Sequence, residues 1–218
     1  MYNYDITKTG NMKQNGKDDF KEIVPKDSRY IPFTQQRLCC VPTAISMIMY
    51  RQHISLIPIE KLGYHLGLTV SPKDKDLFYN VRVSKTPPMV GYGTQIQETE
   101  YDPNTVFAKL NIPLLYEKIA PSKITDENDL LKRLKDIEAN DQDAILCLDF
   151  NTLHGLKSNK NCGHVVVFDK IIDSKIRVID PVLNQPKWQT YSPKKMFNAL
   201  KIHEEFSGGI WLFTSRNE

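Results

Sequence analysis

Hydrophobic and polar positions along the chain fall into two regimes. From residue 41 to about residue 140 apolar side chains recur at three- and four-residue spacing, whereas from about residue 144 they form short, nearly unbroken β-branched and aromatic runs. In "VPTAISMIMYRQH", Val41, Ala44, Ile45, Ile48 and Met49 share one side of a predicted helix, and Pro42 suits its first turn. "PIEKLGYHLGL" predicts a second, shorter helix. "DPNTVFAKLN" predicts a third, capped by Asp102 or Asn104. "TDENDLLKRLKDIEAND" predicts a fourth, with acids in its first turn and Leu130, Leu131, Leu134 and Ile137 on one side. Between residues 69 and 97 prolines, glycines and aromatics mix without a steady period, predicting long ordered loops.

The later runs "DAILCLDF", "GHVVVFDKII", "KIRVIDP" and "GGIWLFTS" are bounded by Gly, Pro, Asp and Ser and predict strands. One more helix, "SPKKMFNALKIH", precedes the last of them, with Ser192 as cap and Pro193 at its first position. Residues 1–22 are polar and carry neither period, which predicts a flexible tail. The fold class predicted is α+β: a single domain at 23–218, with a helical lobe at about 23–140 and a mostly antiparallel sheet lobe at about 141–218.

Composition narrows the partners. A formal charge of +3 over 218 residues, with 40% hydrophobic residues, gives no basis for nucleic-acid binding. The N-terminus lacks the apolar segment of a secretion signal, and no stretch approaches the roughly 20 apolar residues of a membrane span. No membrane partner is therefore expected, and the location expected is cytoplasmic, or secreted without a cleaved signal. Four cysteines, two of them adjacent, make a poor disulfide framework for this length and fit a reducing compartment. No phosphate-cradling glycine loop appears, and no cofactor is expected.

The adjacent pair Cys39-Cys40 stands directly before the first helix. A thiol at a helix start meets free backbone N–H groups and the positive end of the helix dipole, which favour a thiolate. Cys40 occupies that position, while Cys39 lies one residue further out and points elsewhere. Packing as small buried hydrophobes is the alternative for both. A thiol nucleophile needs a base and something to orient the base. His164 opens the strand "GHVVVFDKII" and Asp180 ends the next one, "KIRVIDP", which supplies the base and orienter of a Cys-His-Asp triad. Gln35 or Gln36 is placed to offer an amide beside Cys40 and bind an oxyanion together with the Cys40 N–H. Cys162 and His164 alone do not complete a zinc set, since neither a C-x-x-C pair nor an HExxH helix accompanies them. His154 shows no partner pattern and reads as a surface or capping residue.

These residues carry a resemblance. Gln35, then Cys40, Pro42 and Ala44 opening a helix, then "GHVVVF" and "VIDP", resemble the papain-like cysteine peptidases, nearest to the peptidases that process double-glycine leader peptides and their soluble relatives. The resemblance covers about residues 30–50 and 162–182. It implies a helical lobe facing an antiparallel sheet lobe, with Cys40 as nucleophile, His164 as base and then acid, Asp180 as orienter and Gln35 in the oxyanion hole. It also implies a peptide or protein substrate. Two positions depart from the family pattern: Val41 stands where glycine is usual after the nucleophile, and Cys39 where Asp or Asn precedes it. The β-branched Val41 is expected to narrow the approach to the thiol. The reaction implied is hydrolysis of a peptide or isopeptide bond. The alternatives are acyl transfer of the transglutaminase kind or deamidation by the same triad, and peptide binding without turnover.

The triad sets a condition on strand register. A two-residue turn at Asp173-Ser174 with regular pairing would put Asp180 opposite Val167 and turn it away from His164. A three-residue loop or a compensating bulge is therefore expected between the two strands.

Overall fold

The computed structural model describes residues 25–157, 161–182 and 187–216, so the tail expected at residues 1–22 lies outside the described residues. Helix α1 runs from Cys40 to Arg51, α2 from Ile59 to His65, α3 from Pro103 to Leu110, α4 from Glu127 to Ala139, α5 from Phe150 to His154 and α6 from Pro193 to Ile202. Strands β1 (Thr69–Val70) and β2 (Arg82–Val83) form a two-residue parallel pair within the loop-rich stretch after α2. The remaining strands, β3 (Leu114–Ile119), β4 (Asp143–Asp149), β5 (Gly163–Ile172), β6 (Lys175–Ile179), β7 (Trp188–Tyr191) and β8 (Gly209–Ser215), make one antiparallel sheet in the order β3-β8-β4-β5-β6-β7. Among the described residues no helix is long and apolar enough to cross a membrane.

Both faces of this sheet are covered. On one face Ile145, Val165, Val167, Ile179, Trp211 and Phe213 pack with Ile45, Ile48 and Met49 of α1 and Phe107 of α3. On the other, Leu146, Leu148, Val166, Phe168, Val178 and Ile210 pack with Leu130 and Leu134 of α4 and Met196 and Leu200 of α6. A strand buried on both faces reads as a continuous apolar run, and every residue of β4 is buried. Each fully buried Leu or Ile contributes roughly 1.5–3 kcal/mol relative to exposure.

Two elements that precede residue 140 join the sheet layer. Strand β3 lies in the half expected to be helical, yet pairs along its whole length with β8 at the sheet edge. Helix α4, from the same half, packs with α6 on the face opposite α1. Helices thus cover both faces of the sheet.

The hairpin of β5 and β6 closes through Asp173 and Ser174, both at positive φ (47° and 60°), the backbone of a tight two-residue turn. Pairing runs from Ile172 with Lys175 to Lys170 with Arg177, then shifts by one so that Phe168 pairs with Val178 and Val167 with Ile179. Asp169 is the extra residue of this β-bulge. The shift brings Asp180 next in line opposite Val166, diagonal to His164. Asp169 is fully buried, and its carboxylate accepts from Arg177 Nε at 2.6 Å, from the Arg29 backbone N–H at 2.8 Å and from the Ser28 hydroxyl at 3.2 Å.

That acid belongs to a polar seam which ties the first described segment across the sheet. Asp27 pairs with Lys170 and Arg177, Trp188 Nε1 donates to the Ser28 hydroxyl at 2.9 Å, and Tyr30 donates its hydroxyl to Asp143 at 2.5 Å. Asp143, buried at the start of β4, also accepts from Arg51 at 2.9 Å and Gln52 at 2.6 Å at the far end of α1. Removing one member of a buried ion pair leaves the other charge without compensation. Asp169→Ala is accordingly expected to lower the unfolding free energy by roughly 3–5 kcal/mol, read as a fall in the urea midpoint at unchanged slope.

Candidate active site

Cys40 is the first residue of α1, and Cys39 is its cap, with no side-chain capping bond. The Cys40 and Val41 amides are therefore free of intrahelical partners, and Pro42 has no N–H to satisfy. Leu38, at φ 63°, turns the chain immediately before the helix, and the Cys39 N–H donates to the Gln36 carbonyl at 3.0 Å. This turn sends the neighbouring thiols to different environments. Cys40 is half-buried, whereas Cys39 is fully buried among Leu68, Val70 and Phe78. Burial, with smaller effects of Cys40 and Glu60, pushes the Cys39 thiol up to about 12. None of the four cysteines forms a disulfide. Val41, the residue after Cys40, is buried in the core against the sheet.

His164 pairs with Leu148 near the start of β5, and the loop leading into it is pinned. Asp149 accepts from the Cys162 N–H at 2.7 Å, and the Phe150 N–H donates to the Cys162 carbonyl at 2.7 Å. Gly163 is required by contact, since a Cβ there would lie 2.7 Å from the buried His203 ring. His164 Nε2 meets Asp180 Oδ1 at 2.8 Å, with both side chains buried. Cys40 is close enough to the imidazole to favour its charged form. The structure therefore brings Cys40, His164 and Asp180 together.

The electrostatics of the pair follow from that geometry. Burial works against an imidazolium, but the Asp180 charge and hydrogen bond, with help from Cys40, outweigh it and raise the His164 pKa to about 10. Burial likewise opposes ionisation of Asp180; the His164 charge, the contacts with His154 and His164, and the Val182 N–H at 2.9 Å hold its carboxyl well below the usual range.

The two glutamines separate. The Gln36 amide donates to the Leu77 carbonyl, while the Gln35 N–H donates to the Pro181 carbonyl at 2.8 Å, next to Asp180. The residues alone left both open and the resemblance pointed to Gln35; Leu38, at φ 63°, turns the chain between them and the helix. Two further residues escaped the sequence reading. Phe150 stacks on His154 with centroids 4.1 Å apart and meets the His164 ring edge-on at 5.3 Å, and His154 Nε2 lies 3.6 Å from Asp180 Oδ2. The signal available was "DFNTLH": Asp149 caps a short helix through the Thr152 N–H at 2.7 Å, and the i,i+4 spacing puts Phe150 and His154 on one face.

No protein-family model matches the sequence, and no curated protein is detectably similar to it. Among solved structures the chain is similar to a Bacillus anthracis protein described as a C39-like peptidase, at 14% identity and a TM-score of 0.54, over 86% of this chain and 96% of that one. A double glycine motif protease from an AMS/PCAT transporter, in complex with the leader peptide, is similar at 14% identity and a TM-score of 0.47, over 88% and 96%. The peptidase domain of Streptococcus ComA, a bifunctional ABC transporter, is similar at 15% identity and a TM-score of 0.46, over 86% and 98%. The first of these likenesses shows the fold: the antiparallel sheet and its helices have the papain-like architecture of a C39-like peptidase.

The two opposite pKa shifts define a stability window. The lowered Asp180 pKa stabilises the fold above the ordinary value of 3.8, a contribution lost as pH falls towards the folded value. The raised His164 pKa stabilises fully below 6.5 and is lost as pH rises through about 10. Unfolding free energy is expected to peak between pH 3.8 and 6.5 and to decline towards pH 10. In His164→Gln the alkaline decline should flatten, as urea titrations across that range would measure.

Proposed function

We propose that the protein is a cysteine peptidase-like hydrolase that cleaves a peptide or isopeptide bond through Cys40, His164 and Asp180. The observation that carries this reading is the buried His164–Asp180 pair, 2.8 Å apart, with a half-buried thiol at a helix start near its imidazole. Asp180 occupies Nε2, which leaves Nδ1 to accept the thiol proton. The thiolate attacks the substrate carbonyl carbon, and the oxyanion takes hydrogen bonds from the Cys40 backbone N–H and the Gln35 amide. Engagement of Gln36 with Leu77 favours Gln35 for that role. His164 then passes its proton to the leaving amine as the C–N bond breaks, giving a thioester on Cys40. Water, deprotonated by His164, attacks the thioester and releases the acid, and the thiol regains its proton.

Two measurements test this reading. At mildly acidic pH, limiting iodoacetamide should modify Cys40 first, since burial keeps Cys39 and Cys147 protonated. When a peptide library is incubated with the protein, mass spectrometry should find products that have gained one water. Those products should be absent with Cys40→Ser and reduced at least about 100-fold with His164→Ala. Labelling that starts at Cys39, or turnover that survives Cys40→Ser, would remove the assignment. Products that have gained an amine instead of water would move it to acyl transfer.

A further inference from the structure

Asp180 uses its two oxygens unequally. Oδ1 accepts from His164 Nε2 at 2.8 Å and from the Val182 N–H at 2.9 Å. Oδ2 is buried and has no hydrogen-bond partner, and 3.6 Å from it lies His154 Nε2, also buried and also without one. Two unsatisfied polar atoms thus face each other just beyond hydrogen-bonding distance. The His154 ring is clamped, with Phe150 stacked on one side at 4.1 Å and Tyr191 edge-on at 6.3 Å. Phe150 in turn touches the His164 ring edge-on, so one aromatic side chain braces both imidazoles. Helix α5 delivers His154 as its last residue, stopped by Gly155 in the left-handed region at φ 67°.

We propose that His154 is a positioning residue for the Asp180–His164 pair, its Nε2–H serving the second carboxylate oxygen. The inference rests on the reading of Cys40, His164 and Asp180 as the reacting set. A carboxylate held through one oxygen can rotate about its Cβ–Cγ bond. Held through both, it keeps Oδ1 on His164 while the imidazole gains and loses its proton. Closing the 3.6 Å gap to an ordinary hydrogen bond needs a shift of less than about 1 Å. His154 touches neither the thiol nor the substrate carbonyl in this scheme and acts only through Asp180.

The test compares second-order rates of Cys40 modification by iodoacetamide, at one mildly acidic pH, in the full chain. His154→Phe keeps a ring between Phe150 and Tyr191 but removes the N–H, and is expected to slow labelling about tenfold, within the roughly 100-fold that a 1 Å misplacement can cost. In His154→Gln the side-chain amide can take the place of Nε2, and labelling should return to within about twofold of wild type. In an Asp180→Asn background His154→Phe should add nothing, because the two residues act as a unit. A wild-type rate in His154→Phe would overturn the proposal, as would a loss of equal size in the Asp180→Asn background or a failure of Gln to rescue. Should His154→Phe fail to fold, His154→Asn, whose amide falls short of Oδ2, takes its place with the same expected slowing. His164→Ala separates the two levels. If that variant labels at the wild-type rate, the reading of the reacting set fails; if it is slow while His154→Phe is unchanged, only the positioning role fails.

Discussion

The site depends on the parity of a single hairpin. Residues along a strand alternate between two faces, so one residue more or less between His164 and Asp180 decides whether the two side chains meet. The tight turn at Asp173 and Ser174 supplies the wrong parity, and the bulge at Asp169 restores it. A bulge needs a reason to stay where it is, because the unpaired residue could otherwise migrate along the ladder. Here the reason is electrostatic. Asp169 is fully buried and bound by Arg177, Arg29 and Ser28, and sliding the bulge by one position would abandon all three. The Arg177–Asp169 salt bridge thereby holds the register that lets His164 meet Asp180.

The same seam explains why the segment before α1 is placed as it is. Ser28, Arg29 and Tyr30 are anchored to β5, β7 and the start of β4, and Gln35 reaches the chain after β6 through the Pro181 carbonyl. Helix α1 is held at its other end by Arg51 and Gln52 on Asp143. Cys40 is thus fixed by both termini of its helix while the core beneath fixes its side. Cys39 shows how local the control is: one residue earlier, the same functional group lies in an apolar pocket where burial suppresses its ionisation.

Much of this was legible in the sequence, for identifiable reasons. Helices α1, α4 and α6 carry apolar stripes, and Asp126 and Ser192 cap two of them as their side chains allow. The four central strands read as unbroken apolar runs because helices cover both faces. Strand β3 was missed because it is a half-exposed edge in which Glu117 and Lys118 break the pattern, and β7 because four residues are too few to show a period. The turn at Asp173 and Ser174 lacks the glycine that marks such turns. The sequence could state that a bulge or a longer loop was needed, yet could not locate it, since what fixes Asp169 comes from residues about 140 positions away. Cys40, His164 and Asp180 stood out through their spacing, and the structure brings them together. His154 did not stand out, because its contact with Asp180 depends on where a five-residue helix ends.

The polar seam also has a consequence for the order in which the molecule can form. Its bonds join residues separated by 141 positions at Ser28 and Asp169 and by 160 at Ser28 and Trp188, which makes them among the last to be satisfied along a growing or refolding chain. Helix α1 can form from local sequence long before then, but its thiol has no imidazole beside it until β4 and β5 have paired, and that imidazole has no fixed carboxylate until the bulge is locked. Placement of that imidazole and carboxylate near Cys40 therefore waits on bonds that span 141 and 160 positions of the chain.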